Sequence, residues 1–257
     1  MKIILLCNSV ISSFEKEVIT KVKEHKSVEN IYGIIYERKH KGIIEKVITN
    51  FKKGRGGYIL IMALKRVFSK VDEEASEKIL IESNIEYQVT KRLYSSSLIE
   101  LISNLYPDLI ILIGGFGIIK KEILLLPKIG VVSFHHGDMS KYRGMPPGFW
   151  ELYNNENEVG ITVQILNEEL DSGIPIVFKK VDILPEDTYN QLLNRMYSES
   201  PDMITEALSI LERKNKEDFT PINGLGRIYT LPNLTQWILF QIKITKRKLF
   251  NVKASTK

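Results

Sequence analysis

The stretch DLIILIGGFG occupies residues 108–117 and contains the most hydrophobic run of the chain. Five aliphatic residues follow one another without polar alternation, which is typical of a strand buried on both faces of a parallel sheet. Gly114, Gly115 and Gly117 come directly after this run. Ligands of open α/β sheets bind beyond the carboxyl ends of the strands, so this glycine segment is predicted to border a binding site.

The segments on either side alternate between strand and helix patterns. Further strands are predicted at KIILLC (2–7), NIYGIIYE (30–37), EYQVT (86–90) and VVSFHH (131–136). Helical spacing of apolar residues covers 12–25, 58–68, 96–106 and 149–155, with Ser12 or Ser13 as the N-cap of the first helix. Repeated strand–helix–strand order predicts a doubly wound, mostly parallel α/β sheet of the Rossmann-like kind.

The second half of the chain predicts an antiparallel addition and two further helical segments. Residues 160–170 alternate between apolar and polar side chains, which predicts a strand with one solvent-exposed face. Residues 171–183 predict a loop that returns into another strand. Residues 187–211 form one long helical pattern with Asp187 as its N-cap, broken before Pro201. We therefore expect a catalytic domain over 1–211 and a small C-terminal extension over 212–257.

Positive charge is concentrated in that extension. The formal net charge is +5, yet no acidic residue follows Asp218, and seven basic residues do: Arg227, Lys243, Lys246, Arg247, Lys248, Lys253 and Lys257. The first 218 residues are therefore slightly acidic, which does not favour nucleic acid as the partner of the body. The apolar and basic segment 237–250 fits packing on the domain, a homodimer contact or an anionic membrane surface.

Cysteine content and hydropathy indicate the compartment. Cys7 is the only cysteine, so an intrachain disulfide and a cysteine-based zinc site are excluded. No segment approaches the roughly 20 apolar residues of a membrane span, and the apolar run at the N-terminus is too short for a signal peptide. These features predict a protein of the reducing cytoplasm.

Two adjacent histidines, His135 and His136, follow the predicted strand at 131–136. Neighbouring side chains of an extended segment point to opposite faces, so one of them should face the ligand crevice. Histidine suits general acid–base chemistry near neutral pH, and Asp171 is the best candidate for a charge partner. The spacing alone leaves a structural role equally open.

Four linked motifs surround these residues and together resemble the folate-dependent formyltransferase family. That family carries Asn-x-His, a Tyr/Trp-Arg-Gly segment, Thr-Gly-x-Thr and Asp-x-Gly. This chain supplies Ser133-x-His135, Tyr142-Arg143-Gly144, Val159-Gly160-Ile161-Thr162 and Asp171-Ser172-Gly173, in the same order and at matching separations. The family includes enzymes that formylate glycinamide ribonucleotide, methionyl-tRNA and amino sugars.

The resemblance implies transfer of a formyl group from N10-formyltetrahydrofolate to an amine, without a metal. It places His135 and Asp171 in catalysis, together with Ser133, which stands where the family has an oxyanion-binding asparagine. The pterin is expected against Gly115, Phe116, Gly117, Ile118 and Leu170. The acceptor amine is expected near Asn8, Ser9, His136, Asp138, Tyr142 and Arg143.

The acceptor that fits best is a nucleotide-linked amino sugar used in surface polysaccharide synthesis. The fifty or so residues after the last predicted helix are too few for the tRNA-binding domain of methionyl-tRNA formyltransferases, and glycinamide ribonucleotide formyltransferases lack such an extension. The segment 222–236, with Arg227 and Tyr229, either closes over the nucleotide sugar or packs as an arm. Glycinamide ribonucleotide and methionyl-tRNA stay open as acceptors.

Two functions other than formyl transfer also stay open. Replacement of an oxyanion donor typically costs about 100- to 1,000-fold in rate, so Ser133 makes a catalytically silent binding domain an alternative. A metal-dependent deacylase is the third possibility, and its ligands would be His135, His136, Asp138 and Asp171. That reading leaves the Tyr-Arg-Gly and Asp-x-Gly motifs unexplained.

Overall fold

A computed structural model describes residues 1–38, 48–49, 52, 73–214 and 218–254, the last six of these by their backbone. The strands are β1 (Lys2–Asn8), β2 (Val10–Ser12), β3 (Asn30–Tyr36), β4 (Glu73–Ala75), β5 (Glu86–Thr90), β6 (Leu109–Ile113), β7 (Gly130–His135), β8 (Tyr142–Gly144), β9 (Glu158–Ile165), β10 (Ile174–Asp182) and β11 (Arg227–Tyr229). The helices that have complete bounds are α1 (Ser13–Glu24), α2 (Ser76–Glu82), α3 (Ser96–Leu105), α4 (Lys121–Leu124), α5 (Phe149–Tyr153), α6 (Tyr189–Glu199), α7 (Asp202–Leu211) and α8 (Leu234–Ala254).

Seven strands form one sheet in the order β10-β9-β7-β6-β1-β3-β5. The five strands from β7 to β5 are parallel, whereas β9 is antiparallel to β7 and β10 is antiparallel to β9. The chain leaves β1 toward β3 and β5, then returns to the other side of β1 as β6. This reversal creates a switch point between β1 and β6, and it confirms the doubly wound, mostly parallel α/β sheet.

The central strands are buried on both faces because helices cover each side. Ile3 and Leu5 of β1 face the layer that contains α1, α6 and α7, while Ile4 and Leu6 face the layer of α3 and α4. Alternate residues of a strand point to opposite faces, so an uninterrupted aliphatic run supplies both cores at once. The interpretation of residues 2–7 and 108–115 as buried strands is confirmed for their apolar residues, since 3–7 and 109–113 are buried, whereas Lys2 and Gly115 are exposed.

The prediction of a solvent-exposed face on the strand within 160–170 is wrong. Every residue of β9 after Glu158 is buried, including Thr162 and Gln164 at 1% exposure each. Both polar side chains find partners inside the protein: the Thr162 hydroxyl donates to the Gly137 carbonyl, and Gln164 Oε1 accepts from the Gly173 amide. Buried polar groups need such partners. The polar residues at alternate positions of β9 therefore form internal hydrogen bonds and do not face solvent.

The N-cap predicted for α1 is confirmed, whereas the N-cap predicted for α6 is wrong. Ser12 is the N-cap of α1 and forms a capping box with Glu15. The sequence predicts Asp187 as the N-cap of the helix that follows it, but Thr188 is the N-cap of α6. The Asp187 carboxylate instead accepts from the Leu184 amide and pairs with Arg195 at 2.6 Å. The predicted break before Pro201 is confirmed, since α6 ends there and α7 begins.

The C-terminal extension packs against the body of the protein. Strand β11 pairs with β8, and Tyr229 stacks on Tyr142 with ring centroids 5.2 Å apart. Trp237 and Phe240 of α8 are buried in the main core beside Phe149. The predicted helix at 58–68 lies outside the described residues. Among the described helices, none is both long and apolar enough to cross a membrane.

Candidate functional site

A cavity of about 950 Å³ opens at the carboxyl ends of β1 and β6, at the switch point of the sheet. Asn8 and Ser9 line it directly after β1, and Gly115 lines it after β6. Helices contribute the other walls, with Glu15 and Glu17 from α1 and a set of side chains from α6: Asn194, Tyr197 and Ser198. The location agrees with the general rule for ligand sites in such sheets.

A smaller cavity of about 250 Å³ adjoins the first, and the two share Phe14, Gly115 and Tyr197. Ser133 and His136 line this smaller cavity. No partner of the Ser133 hydroxyl occurs among the hydrogen bonds of the described residues, so that hydroxyl is available to a bound molecule. The smaller cavity therefore connects the open site after β1 with the motif residues at the end of β7.

His135 and Asp171 are brought together although 35 residues separate them along the chain. The imidazole Nδ1 lies 3.5 Å from Asp171 Oδ1. The other ring nitrogen, Nε2, lies 3.0 Å from the Tyr142 carbonyl oxygen. A carbonyl can only accept a hydrogen bond, so Nε2 is a protonated nitrogen and Nδ1 faces the carboxylate. The imidazole is 7% exposed, and His135 does not line either cavity in this arrangement.

The His135 ring fits because residue 137 has no side chain. A Cβ on Gly137 would lie 2.5 Å from His135 Nε2 and 2.9 Å from the Tyr142 carbonyl oxygen. Both distances are shorter than van der Waals contact, so a larger residue would displace the ring or break its hydrogen bond. Gly137 is therefore a steric requirement for the position of His135.

Asp171 is held in place by the Tyr142-Arg143-Gly144 motif. Its backbone is left-handed, with φ of 45°, a conformation that few residues other than glycine, Asn and Asp adopt. Asp171 Oδ2 accepts from the Gly144 amide at 2.7 Å. Arg143 donates from Nε to the Asp171 carbonyl and from Nη2 to the Leu170 carbonyl. The Tyr-Arg-Gly and Asp-x-Gly motifs thus meet and fix the carboxylate opposite His135.

The remaining motif, residues 159–162, anchors the turn after His135. Gly160 lies against the backbone of Asp138, where a Cβ would approach the amide nitrogen to 2.7 Å. Thr162 is the register partner of His135 and bonds to the Gly137 carbonyl at 3.0 Å. Gly160 permits close approach of the turn, and the hydrogen bond of Thr162 holds the turn in place. All four motifs therefore serve one arrangement of His135 and Asp171.

His136 points away from His135 and into a cluster of aromatic rings. Its Nε2 lies 3.0 Å from the Ser200 hydroxyl. Phe14, Phe134 and Tyr197 surround the imidazole, with ring centroids 4.7–6.0 Å away. Burial, together with the charge of His135, lowers the pKa of His136 to about 3. His136 is therefore neutral at physiological pH.

Comparison with known proteins identifies the arrangement. The family model described as Formyl transferase matches residues 23–208. The chain belongs to the formyl transferase family. The methionyl-tRNA formyltransferase of Clostridioides difficile (strain 630) is 30% identical over 139 residues, which cover 54% of this chain and 45% of that relative. The methionyl-tRNA formyltransferase of Fusobacterium nucleatum subsp. nucleatum is 27% identical over 157 residues, 57% of this chain and 51% of the relative. The chain thus spans about half the length of these curated relatives.

Solved structures show the same fold. An N-formyltransferase from Helicobacter canadensis, in complex with folinic acid and dTDP-3-aminofucose, has a TM-score of 0.60 at 13% identity, and the match covers 95% of this chain and 80% of that one. A phosphoribosylglycinamide formyltransferase from Anaplasma phagocytophilum has a TM-score of 0.61 at 15% identity, covering 89% and 98%. The formyl transferase fold therefore extends over nearly all of this chain.

The residues that the family resemblance assigns to the pterin lie on one exposed loop and one turn. Gly115, Gly117 and Ile118 are exposed after β6, and a Cβ on either glycine would meet nothing within 4 Å. Phe116 stacks on Tyr36 with centroids 6.3 Å apart. Leu170 belongs to the turn before Asp171 and receives Arg143 on its carbonyl. The glycine loop thus presents open backbone of the kind that a flat heterocycle approaches.

Three of the residues expected near the acceptor are not among those that line either cavity of the candidate site. Arg143 is occupied by backbone carbonyls, as described above. The Tyr142 hydroxyl donates to Glu156 and accepts from Asn154. Asp138 accepts from the amide and hydroxyl of Ser140. Asn8, Ser9 and His136 do line the cavities, so the structure divides the predicted acceptor set into two groups.

Behind the motif turn, Tyr142 and Asp138 border a group of carboxylates on the far side from the cavities. Glu151 of α5 is 4% exposed there. Burial, together with the nearby Glu156 and Asp138 carboxylates, raises its pKa to about 8. This side of the motif segment is packing rather than ligand surface.

The metal-dependent alternative requires four side chains to converge. His136 is turned toward Ser200 and Asp138 toward Ser140, while His135 and Asp171 face each other elsewhere. Within the described ranges, no group of three or more histidine, cysteine, aspartate or glutamate side chains is arranged to hold a metal ion. The four proposed ligands are therefore not brought together.

Sequence reasoning missed several residues that shape the formyl transferase site. Phe14, Tyr197 and Asn194 line the cavities, yet they lie on helices far from the motifs in sequence. Gly137 and Ser200 act through single contacts with His135 and His136. Only Gly137 carried a usable signal, since it stands inside the motif segment. The helical residues are brought to the site by packing of α1 and α6 against the sheet.

Proposed function

We propose that this chain transfers a formyl group from N10-formyltetrahydrofolate to the amine of a nucleotide-linked amino sugar. The observation that carries the proposal is the His135–Asp171 pair, which lies at the end of β7 beside Ser133, a residue that lines the smaller cavity adjoining the open site. The volume of about 950 Å³ lies in the range of small-molecule sites. The likeness to a sugar N-formyltransferase that holds folinic acid and dTDP-3-aminofucose supports both substrates.

The chemistry needs few protein groups. Bound N10-formyltetrahydrofolate would supply the formyl carbon. Overall, a bond forms between the amine nitrogen and that carbon, the bond from the carbon to N10 breaks, and one amine proton passes to N10. The protein must stabilise the negative charge that develops on the formyl oxygen and must hold the two substrates in contact. These two contributions, electrostatic preorganisation and proximity, are large in enzymes.

His135 and Asp171 take the first of these tasks in our proposal. The Asp171 carboxylate stabilises positive charge on the His135 imidazole, and that charge stabilises the developing oxyanion. Ser133 lies two residues before His135 on β7, so both side chains project from the same face of the strand. Ser133 lines the smaller cavity, and its hydroxyl would supply a hydrogen bond to the formyl oxygen in place of the family asparagine.

The folate fits the loop after β6. Gly115 and Gly117 leave open space where a side chain would stand, so a flat pterin can approach the backbone of this loop. Phe116, Ile118 and Leu170 provide apolar surface on either side of it. Folate would then reach the His135–Asp171 pair from the β6 side, while the acceptor enters from the Asn8 and Ser9 side.

An amino sugar is supported by the extent of the structural likeness. The match to the Helicobacter canadensis enzyme covers 95% of this chain, and the match to the Anaplasma phagocytophilum phosphoribosylglycinamide formyltransferase covers 89%. Strand β11 and helix α8 pack on the body, which favours the interpretation of residues 222–236 as a packing arm. Methionyl-tRNA is the second candidate, because curated relatives at 27–30% identity carry the name methionyl-tRNA formyltransferase.

The test is a spectrophotometric assay of tetrahydrofolate release from N10-formyltetrahydrofolate. The acceptors are a panel of dTDP-linked amino sugars, glycinamide ribonucleotide and methionyl-tRNA. We expect turnover with an amino sugar and its loss in His135→Ala. The matched control is His25→Ala, because His25 is equally buried at 7% exposure but hydrogen-bonds to Ser27 and Ser209 on the far side of the fold.

Each other result has a defined meaning. Turnover with methionyl-tRNA alone would replace the acceptor and keep the reaction. Folate binding without turnover on any amine would favour the silent binding domain. A protein that binds no folate, measured by isothermal titration calorimetry, would overturn the proposed function.

A further inference from the structure

The hydrogen bonds of Ser200 determine which nitrogen of His136 carries the proton. The Ser200 hydroxyl donates its single proton to the Met196 carbonyl. The same oxygen lies 3.0 Å from His136 Nε2 and can therefore only accept there. His136 Nε2 must be the protonated nitrogen. In a neutral ring the other nitrogen, Nδ1, is then an unprotonated hydrogen-bond acceptor.

The surroundings hold this ring in place and leave Nδ1 available. Phe14 and Tyr197 meet the imidazole edge to face, and Phe134 stacks on it at an interplanar angle of 17°. Nδ1 has no hydrogen-bond partner in the part of the chain that the structure describes, and it is not sealed from solvent as a buried unpaired atom would be. His136 lines the smaller cavity together with Ser133. The free acceptor therefore borders the space next to the motif residues.

We propose that His136 Nδ1 accepts a hydrogen bond from the amine of the acceptor substrate and so orients its lone pair toward the formyl carbon. The inference rests on the proposed function and deepens it. A group that only accepts hydrogen bonds favours an N–H donor at this position and disfavours phosphate or carbonyl oxygens. The amine end of the substrate therefore lies in the smaller cavity, and the rest of the molecule lies in the larger one.

The two adjacent histidines then have different tasks. His136 is a very weak base, because burial lowers its pKa to about 3, so it holds an N–H group without removing the proton. His135 lies instead between the Asp171 carboxylate and the Tyr142 carbonyl. His136 is thus a positioning residue for the amine nucleophile and does not itself remove the amine proton.

Two conservative variants separate this role from a structural one. His136→Asn places an amide oxygen near the position of Nδ1 and loses the Ser200 contact. His136→Gln places an amide nitrogen near the position of Nε2, keeps the Ser200 contact and loses the acceptor. We expect kcat/KM for the amine to fall about tenfold or more in His136→Gln, as for loss of one hydrogen bond, and to change less than about threefold in His136→Asn. Folate affinity should be unchanged in both.

A structural role predicts the opposite order, because the variant that keeps the Ser200 contact would then be the milder one. Equal or greater activity in His136→Gln therefore overturns the inference while transferase activity of the wild type upholds the proposed function. Thermal melting of both variants checks that each is folded. A wild-type chain that binds no amine of the panel would overturn both proposals together.

A second measurement does not depend on turnover. Two-bond ¹H–¹⁵N correlation spectra of the full chain identify the protonated nitrogen of each imidazole. We expect His136 to be protonated on Nε2 throughout pH 5–8, and its Nδ1 resonance to shift when dTDP-3-aminofucose is added. Ser200→Ala should allow the other tautomer to appear. A proton on Nδ1 in the wild type, or an Nδ1 resonance that stays in place while calorimetry shows binding, would overturn the inference.

Discussion

The motif segment, residues 133–173, and the cavity rim, residues 8–17 with 194–198, differ in how their polar groups are used. In the motif segment the polar side chains mostly bond to the protein itself: Arg143 to two carbonyls, Thr162 to the Gly137 carbonyl and Asp171 to the Gly144 amide. In the rim, Asn8, Ser9 and Asn194 line open space of about 950 Å³.

The contrast separates positioning from selection. Residues of the motif segment fix the geometry of His135 and Asp171, which any formyl transferase chemistry would need. Residues of the rim contact whatever occupies the cavity, so they are expected to determine the acceptor. Variants of the motif segment should therefore lower kcat, and variants of the rim should raise the KM of the acceptor. His136 and Ser133 lie where the two regions meet.

The largest effect on transfer is expected from Asp171→Asn. The change removes the negative charge opposite His135 Nδ1, whereas an amide oxygen can still accept from the Gly144 amide, so the turn should survive. We expect kcat to fall about 100- to 1,000-fold, as for loss of a preorganised electrostatic contact. Steady-state kinetics measure it, with the exposed Asp202→Asn as control. A loss below tenfold would contradict the assignment of Asp171.

Gly137→Ala should have the next largest effect. The added Cβ would stand 2.5 Å from His135 Nε2, and displacement of a reacting group by about 1 Å can cost about 100-fold in rate. We also expect a loss of stability of about 1–3 kcal/mol from overpacking. Gly115→Ala is the matched control for stability, because nothing lies within 4 Å of its Cβ. Thermal melts and kcat check both statements, and an active, stable Gly137→Ala would contradict them.

Arg143→Lys tests whether Arg143 positions Asp171 or contacts the acceptor. A lysine cannot bond to the carbonyls of residues 170 and 171 as the guanidinium fork does, so Asp171 should shift. We expect kcat to fall about tenfold, equivalent to roughly 1.4 kcal/mol, with the acceptor KM unchanged. A raised acceptor KM at constant kcat would instead place Arg143 in contact with the substrate, as the sequence had suggested.

Arg38→Gln tests the wall of the larger cavity next to the rim. Arg38 lines the larger cavity together with the carboxylates of Glu15, Glu17 and Glu73, and its guanidinium is suited to the phosphates of a nucleotide sugar. We expect the acceptor KM to rise about three- to tenfold, the effect of losing one typical hydrogen bond, with kcat unchanged. Arg92→Gln, at a position that lines neither cavity, is the control. An effect confined to kcat would assign Arg38 to the positioning group.

The smallest effect on transfer is expected from Glu151→Gln, which acts on stability behind the motif segment. Burial raises the folded pKa of Glu151 to about 8, above the value of about 4.3 in an unfolded chain. The folded state therefore binds more protons between these values, and stability falls as pH rises from about 4.3 to 8, by at most about 1.4 kcal/mol per pH unit.

The Gln variant should lack this part of the pH dependence. We expect it to gain stability relative to the wild type between pH 5 and pH 8, with kcat unchanged at either pH. Urea unfolding at the two pH values measures the difference. A wild-type chain and a variant with parallel pH profiles would show that Glu151 ionises normally.

Much of the fold was predictable because hydrophobic patterns act locally. The strands at 2–7, 86–90 and 108–115 and the helix break before Pro201 followed from runs of apolar residues and from proline chemistry. The site was predictable as far as the motif residues reach, since His135 and Asp171 do meet. The solvent-exposed face expected in β9 was wrong, because alternation of polarity does not distinguish water from a buried hydrogen-bond partner.

The sequence by itself determined the α/β class, a ligand site beyond the carboxyl ends of the strands and the residue types available for formyl transfer. Only the tertiary structure decided which polar groups remain free. It assigned Arg143 and Tyr142 to internal contacts, left Ser133 and one nitrogen of His136 open to the cavity, and brought Tyr197 and Ser200 to the site from distant helices. The physical reason is that a hydrogen bond uses both of its partners, and the partner is chosen by packing in space rather than by neighbours in sequence.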